Sequence, residues 1–182
     1  ADSNSVPLSW SQTDDTVLSG SNTLSADDGE IIDGRQLGDV FLIYTKRSIY
    51  EMSFIGAPYV MSFRRVSDNG LLNVNCVTSY DNFHFCVGES EIYVTDGQNI
   101  QHIANQRVRD TFFGELVNKE SVRVEASPIT KEVFVIYNVD TTDNTETANR
   151  ALVWSWEYNT FTFIDMPRVR CIKFGYYPGT VT

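Results

Sequence analysis

One two-strand pattern recurs three times along this chain, and a sheet unit that recurs has to stack on its copies to bury its faces. The first copy is Asp39-Val-Phe-Leu-Ile-Tyr-Thr-Lys-Arg-Ser-Ile-Tyr-Glu-Met-Ser-Phe54. Val40, Leu42 and Tyr44 alternate with Phe41 and Ile43, so both faces of the first strand are apolar, as burial between sheets requires. Lys46, Arg47 and Ser48 read as a solvated turn before the second strand, Ile49 to Phe54. Asp81-Asn-Phe-His-Phe-Cys-Val-Gly88 leads in the same way into Glu91-Ile-Tyr-Val-Thr-Asp-Gly97. Glu132-Val-Phe-Val-Ile-Tyr137 leads, after a longer loop, into Ala151-Leu-Val-Trp-Ser-Trp156.

Around these cores the chain divides into units of four short strands. The first covers 30–66, with strands at Glu30–Asp33, Val40–Thr45, Ser48–Phe54 and Tyr59–Val66. The second covers 71–104, with strands at Leu71–Ser79, Asn82–Val87, Glu91–Thr95 and Ile100–Ala104, and Asp96-Gly97 as a turn signal. The third covers 122–164, with strands at Val122–Ala126, Glu132–Asn138, Ala151–Trp156 and Thr160–Ile164. A fourth begins at 170. Phe41, Phe83 and Phe134 read as equivalent positions, 42 and then 51 residues apart, the excess falling in the polar loop Asp140 to Asn149. A period of roughly 40–50 residues with four strands per repeat is the pattern of a β-propeller. The expected fold is therefore all-β and propeller-like, with about three antiparallel blades and the start of a fourth. That falls short of a closed ring, so either the remaining blades lie outside this sequence or these form an open wedge, and the lack of a starting Met fits an excised part of something longer. Residues 1–30 are polar and read as an extended acidic arm with at most one short strand, Thr16 to Leu18. Gly34-Arg-Gln-Leu-Gly38 reads as loop punctuation, and residues 106–118 are compatible with a helical turn or a loop.

The net charge is −10, and seven of the acidic residues lie in residues 1–34, which contain no Lys or Arg. That argues against nucleic-acid binding through a basic patch, while an acidic wall would let DNA pass without adhering. Arg64-Arg65, Arg107/Arg109 and Arg168/Arg170 recur near the ends of successive units, the latter two pairs on one strand face each. Such positions could pair with the acidic arm of a neighbouring subunit or serve as ordinary solvated surface. On the first reading Asp14, Asp15, Asp27, Asp28, Arg64, Arg65, Arg107 and Arg109 face a channel or an interface.

Chemistry is thinly represented. Cys76, Cys86 and Cys171 lack Cys-x-x-Cys spacing and read as buried reduced thiols, which together with the lack of an Asn-x-Ser/Thr sequon favours synthesis in a reducing cytosol. His84 and His102 have no partner at metal-ligand spacing, His84 reading as structural and His102 as a surface residue. No phosphate loop, dinucleotide fingerprint or nucleophile elbow is present, so no cofactor, metal or catalytic set is expected. Ser25-Ala-Asp-Asp-Gly-Glu-Ile-Ile32 resembles the sialidase Asp box, a structural turn, but does not recur once per unit. The acidic groups Asp14-Asp15, Asp27-Asp28 and Asp140, Asp143 and Glu146 follow no calcium-loop spacing. No run of 18 apolar residues exists to span a membrane, and the N-terminus has no signal-peptide pattern.

Six stretches carry a resemblance. Val6-Pro-Leu-Ser-Trp-Ser11, Leu37-Gly-Asp-Val-Phe-Leu-Ile-Tyr-Thr-Lys-Arg-Ser-Ile-Tyr-Glu-Met52 and Gly56-Ala-Pro-Tyr59 come first. They are followed by Phe83 to Gly97, by Ile103-Ala-Asn-Gln-Arg-Val-Arg-Asp-Thr-Phe-Phe113 and by Ala151 to Phe161. Together, over roughly residues 6–167, these resemble the tail nozzle or tail tubular proteins of short-tailed bacteriophages, with their related tail-hub and stabilization proteins. The resemblance implies a non-enzymatic virion protein, made in the host cytoplasm. It implies a propeller platform in a homohexameric ring below the portal adaptor, surrounding the DNA exit channel and supporting fibres or a spike. Two other classes stay open: a carbohydrate-binding or sialidase-like propeller, and a propeller interaction module. Trp10, Trp154 and Trp156 are too scattered in sequence to mark a sugar-binding ring.

Overall fold

The computed structural model describes residues 7–12, 15–56, 61–142 and 145–174. Fourteen strands form a two-stranded hairpin and three four-stranded antiparallel sheets, none closed into a barrel. The hairpin pairs β1 (Pro7–Gln12) with β2 (Asp15–Thr23). The first sheet runs β3 (Ile31–Leu37), β4 (Val40–Thr45), β5 (Ile49–Phe54) and β6 (Met61–Ser67) in chain order. The second runs β7 (Val77–Tyr80), β8 (Phe83–Val87), β9 (Ile92–Thr95) and β10 (Ile100–His102). The third runs β11 (Arg123–Ser127), β12 (Glu132–Tyr137), β13 (Ala148–Ser155) and β14 (Thr160–Val169).

The units read from sequence thus appear as three consecutive up-and-down sheets, while several expectations need correction. The polar arm is a hairpin, with β2 far longer than Thr16–Leu18. Gly34 to Leu37 is not a loop but the second half of β3; a Cβ on Gly34 would lie 2.6 Å from the Phe41 ring, so glycine there lets the ring cross its own neighbour strand. The strand expected from Leu71 is confined to β7, because Leu71 and Leu72 are both buried and their backbone N–H groups bond sideways to Thr45 O and Val87 O. Ser48 is fully buried rather than solvated, its hydroxyl 2.9 Å from that of Thr45. The expected strand start at Tyr59 and the continuation of a fourth unit lie outside the described residues, and 170–174 form no strand.

Residues 106–118 resolve as a helix, α1 (Gln106–Glu115), capped by the Asn105 side chain accepting from Val108 N at 3.0 Å. Val108 and Phe112, four residues apart, turn inward, and Phe112 sets its edge on Tyr137 at 4.7 Å between centroids.

One core joins the three sheets. Leu42, Tyr44 and Ile49 of the first, Phe85 to Val87 and Ile92 to Val94 of the second, and Val133, Val135, Tyr137, Leu152 and Trp154 of the third belong to it. Successive residues of β8 serve opposite neighbours: His84 meets Tyr44 of the first sheet, and Phe85 stacks near Trp154 of the third, 5.4 Å apart. The phenylalanines taken as equivalent are not. Phe41 and Ile43 lie on the side of the first sheet away from the shared core, as Phe134 and Ile136 do on the third, while Phe83 turns toward the third sheet. Val-Phe-Leu-Ile-Tyr and Val-Phe-Val-Ile-Tyr therefore both aim their aliphatic–tyrosine face at the middle sheet. A register difference of one residue is enough to reverse which face a strand presents.

Candidate interaction surfaces

The strongest polar construction is local to the first sheet. Ser25 to Gly29 make a single turn of 3-10 helix ending at Gly29 with φ 78°, a left-handed value suited to glycine. This turn lies on the β4–β5 connection, whose Lys46 and Arg47 N–H groups donate to Glu30 O and Asp28 O at 3.0 and 3.1 Å. Asp28 is 3% exposed. Its carboxylate accepts from the Tyr50 hydroxyl and pairs with Arg65 at 2.5 Å. Burial together with this carboxylate raises the Tyr50 phenol above its usual range. Arg65 also reaches Asp68 at 2.8 Å. A buried carboxylate held by a guanidinium and a phenol is a structural lock, since losing either donor would strand its charge.

The eight charged positions proposed from sequence therefore separate. Asp14 lies outside the described residues, and Asp15 opens β2. Asp27 is exposed, whereas Asp28 is no surface charge at all. Arg65 answers the acidic segment within the same chain, in place of either expectation, a neighbouring subunit's arm or ordinary solvated surface. Arg64 pairs with Glu51 across the β5–β6 ladder. Arg107 and Arg109 belong to α1, so their two-residue spacing does not put them on one face as a strand would. Arg107 is exposed and Arg109 pairs with Glu91. Asp140 accepts from Thr142 N at 2.9 Å and pairs with Arg168, and Glu146 pairs with Arg123 at 3.3 Å. Asp143 lies outside the described residues.

The first strands of the first and third sheets approach each other at a cleft of about 330 Å³, lined among others by Arg35, Asn75, Arg123, Glu125 and Lys173. Val124 N donates to Asn75 O at 2.9 Å, tying the third sheet to the segment that leads into β7. The cations here are partly spent: Arg35 faces Asp33 at 3.3 Å, and Arg123 binds both Glu146 and the Arg170 carbonyl. Cys171 is exposed beside this cleft, against the expectation of burial, while Cys76 and Cys86 are fully buried.

Between the first and second sheets sits a buried relay. The Gln36 carbonyl can only accept, so His84 Nε2 carries the proton and donates to it at 3.1 Å. Nδ1 then accepts from the Tyr44 hydroxyl at 2.7 Å. Burial lowers the His84 pKa from its ordinary value and raises that of Tyr44. Burial also pushes the Cys86 thiol up to about 12. All three are thus neutral near pH 7, which suits packing rather than nucleophilic chemistry. His102 is exposed, with Nδ1 3.4 Å from Glu91.

A last surface was missed from sequence. Tyr80, Phe83, Trp154 and Trp156 assemble where the second and third sheets part, around a cleft of about 380 Å³. Trp154 sits near the end of β13 and Trp156 in the turn that follows it, and the Tyr80-Asp-Asn-Phe83 hairpin brings two more rings opposite. The Trp-x-Trp spacing was the only signal available. No protein-family model matches the chain, and no curated protein matches it significantly. No helix among the described residues is long and apolar enough to cross a membrane.

Proposed function

We propose that this chain is a structural component of a phage tail. Its three sheets act as blades of a propeller-like platform, and copies associate, six to a ring, around the channel through which DNA leaves. The observation that carries this reading is the open-ended stack. Three consecutive up-and-down sheets share one core, yet the first and last sheets each carry a second apolar cluster on their far sides that the chain covers only in part: Ile43 and Ile136 are buried, while Phe41 and Met52 on one and Phe134 and Met166 on the other stay half-exposed. Two dissimilar flanks on one chain make head-to-tail contacts, and such contacts close into rings when the rotation permits. The acidic excess of the chain suits a wall past which a polyanion slides, and the sequence resemblance to tail nozzle proteins supports the same setting. Other tail components, a portal adaptor above and fibres or a spike outside, are the partners this role requires. Site chemistry plays no part in it.

The test is the native assembly. Negative-stain electron microscopy and native mass measurement of purified protein, with proteomics of purified particles, are expected to give a sixfold ring and the chain within the virion. A monodisperse monomer in intact particles would contradict the proposal.

A further inference from the structure

We propose that the aromatic cleft between the second and third sheets is a binding site for an uncharged saccharide, a neutral hexose or N-acetylhexosamine unit of a larger glycan. This rests on the cleft alone and holds whether or not the chain forms a ring.

Tyr80 is the hub. Its ring stacks on Phe83 at 5.8 Å, meets Trp154 edge-on at 5.6 Å and lies 4.8 Å from Trp156. Both indole N–H groups are held: Trp156 Nε1 donates to Asp81 Oδ2 at 3.1 Å, and Trp154 Nε1 donates to Asn159 Oδ1 at 3.0 Å. These bonds fix the rings and leave Asp81 Oδ1 and Asn159 Nδ2 as second polar atoms at the rim, beside the exposed Gln101. Asp81 and Asn159 both have positive φ, 37° and 50°, in the connections after β7 and β13. The tight turns that select Asp and Asn therefore also supply the rim.

Trp154 is 4% exposed and belongs to the core, and Tyr80 and Trp156 are half-buried against it, so the accessible ring surface is at Phe83 and the outer parts of Tyr80 and Trp156. Here Phe83 remains 39% exposed beside an open cleft, and a volume of about 380 Å³ lies at the low end of the roughly 300–1,000 Å³ typical of small-ligand sites. The chemistry of the walls narrows the ligand. A rigid aromatic floor takes an apolar C–H face, because ring faces are electron-rich. A rim of one carboxylate oxygen and two amides takes hydroxyls, donors and acceptors at once. A pyranose offers both surfaces together. Among the described residues the lining holds the Asp81 carboxylate and no cation, and Lys131, whose carbonyl accepts from Trp156 N, is paired with Glu157 at 2.6 Å, so the walls disfavour an anionic sugar. The rings pack on Tyr80 along the wall of the cleft and do not encircle it, which makes a platform and not a cage for a quaternary ammonium ion.

The experiment is a tryptophan-fluorescence titration of the full chain with maltohexaose, cellohexaose and N-acetylchitohexaose, run beside sialyllactose and tetramethylammonium chloride. Saturable quenching by at least one neutral oligosaccharide is expected, with neither charged probe acting. Trp156→Ala is expected to weaken that binding roughly tenfold, the scale of one lost aromatic contact. Gln101→Ala changes only an exposed rim side chain; it is expected to weaken binding several-fold with an unchanged melting curve, so the proposal stays testable if the tryptophan variant fails to fold. Isothermal calorimetry of that variant supplies the readout independent of tryptophan. Absence of saturation by all three neutral probes, preference for either charged probe, or binding indifferent to Gln101→Ala would overturn the assignment.

Discussion

The middle and third sheets make opposite use of their strands. The middle sheet has the shorter ones, of four, five, four and three residues, yet β9 is buried along its whole length and β8 everywhere but at Phe83. The third sheet has strands of five, six, eight and ten residues, but β14 alternates only between half-buried and exposed positions. Length in a sheet supplies ladder hydrogen bonds, whose net value is small because water competes for the same groups. Burial on two faces supplies apolar area from both neighbours. The middle sheet is therefore the part that holds the other two, despite being the smallest.

The largest expected break in this contrast is Phe85→Ala. Its fully buried ring packs toward Trp154, and its removal should cost about 3–5 kcal/mol, measured by urea denaturation. Ile164→Ala on β14, where the side chain is 44% exposed, should cost under about 1 kcal/mol in the same assay. Equal losses would remove the distinction between the two sheets.

Next comes Gly70→Ala. A Cβ at Gly70 would run into the backbone of Lys46 and Arg47, atoms that cannot swing aside, so a loss of about 1–3 kcal/mol is expected. Gly114→Ala, on α1 with open space around it, should be neutral or slightly stabilising.

Tyr44→Phe tests the bond between the first and middle sheets. It deletes the donor to His84 Nδ1 and leaves a buried acceptor unpaired, at about 1–3 kcal/mol. The same relay gives a pH signature. Burial depresses the folded His84 pKa below its ordinary 6.5, so the unfolded chain takes up the proton first. Its contribution is complete above 6.5 and declines as pH falls from there toward the folded pKa. Thermal melts across that window should show the decline in the wild type and a smaller one in His84→Gln. A pH-independent difference between the two would contradict the assignment of a neutral imidazole.

The smallest effect is expected at Arg64→Ala, where an exposed guanidinium pairs with Glu51 on the first sheet; exposed pairs typically contribute about 0–1 kcal/mol. Arg65→Ala strands the buried Asp28 and should cost clearly more, although the two arginines are adjacent.

That last pair shows where the sequence was legible and where it was not. Three up-and-down sheets could be read because apolar alternation and Gly or Asp turns are local signals, as in Phe83 to Gly97. The partner of an arginine is not local: Arg65 meets Asp28 across 37 positions, and nothing in Arg64-Arg65 says which one turns inward. Facing was equally hidden. Val40 to Tyr44 and Val133 to Tyr137 look alike, yet only the stack shows that both present their tyrosine face to the same middle sheet. The aromatic cleft needed the packing of two hairpins, since Asp81 and Trp156 are 75 residues apart. Gly34 looked like a loop because a glycine that accommodates a neighbouring ring has the same letter as one that turns the chain.

Native-state hydrogen exchange tests the keystone role of the middle sheet most directly. Amides of β8 and β9 are expected to exchange only with global unfolding, at one common free energy, while those of β14 exchange measurably faster through local opening. The contradicting result is a β14 or β6 edge protected as strongly as β8, or a first sheet that stays protected after the middle sheet has opened.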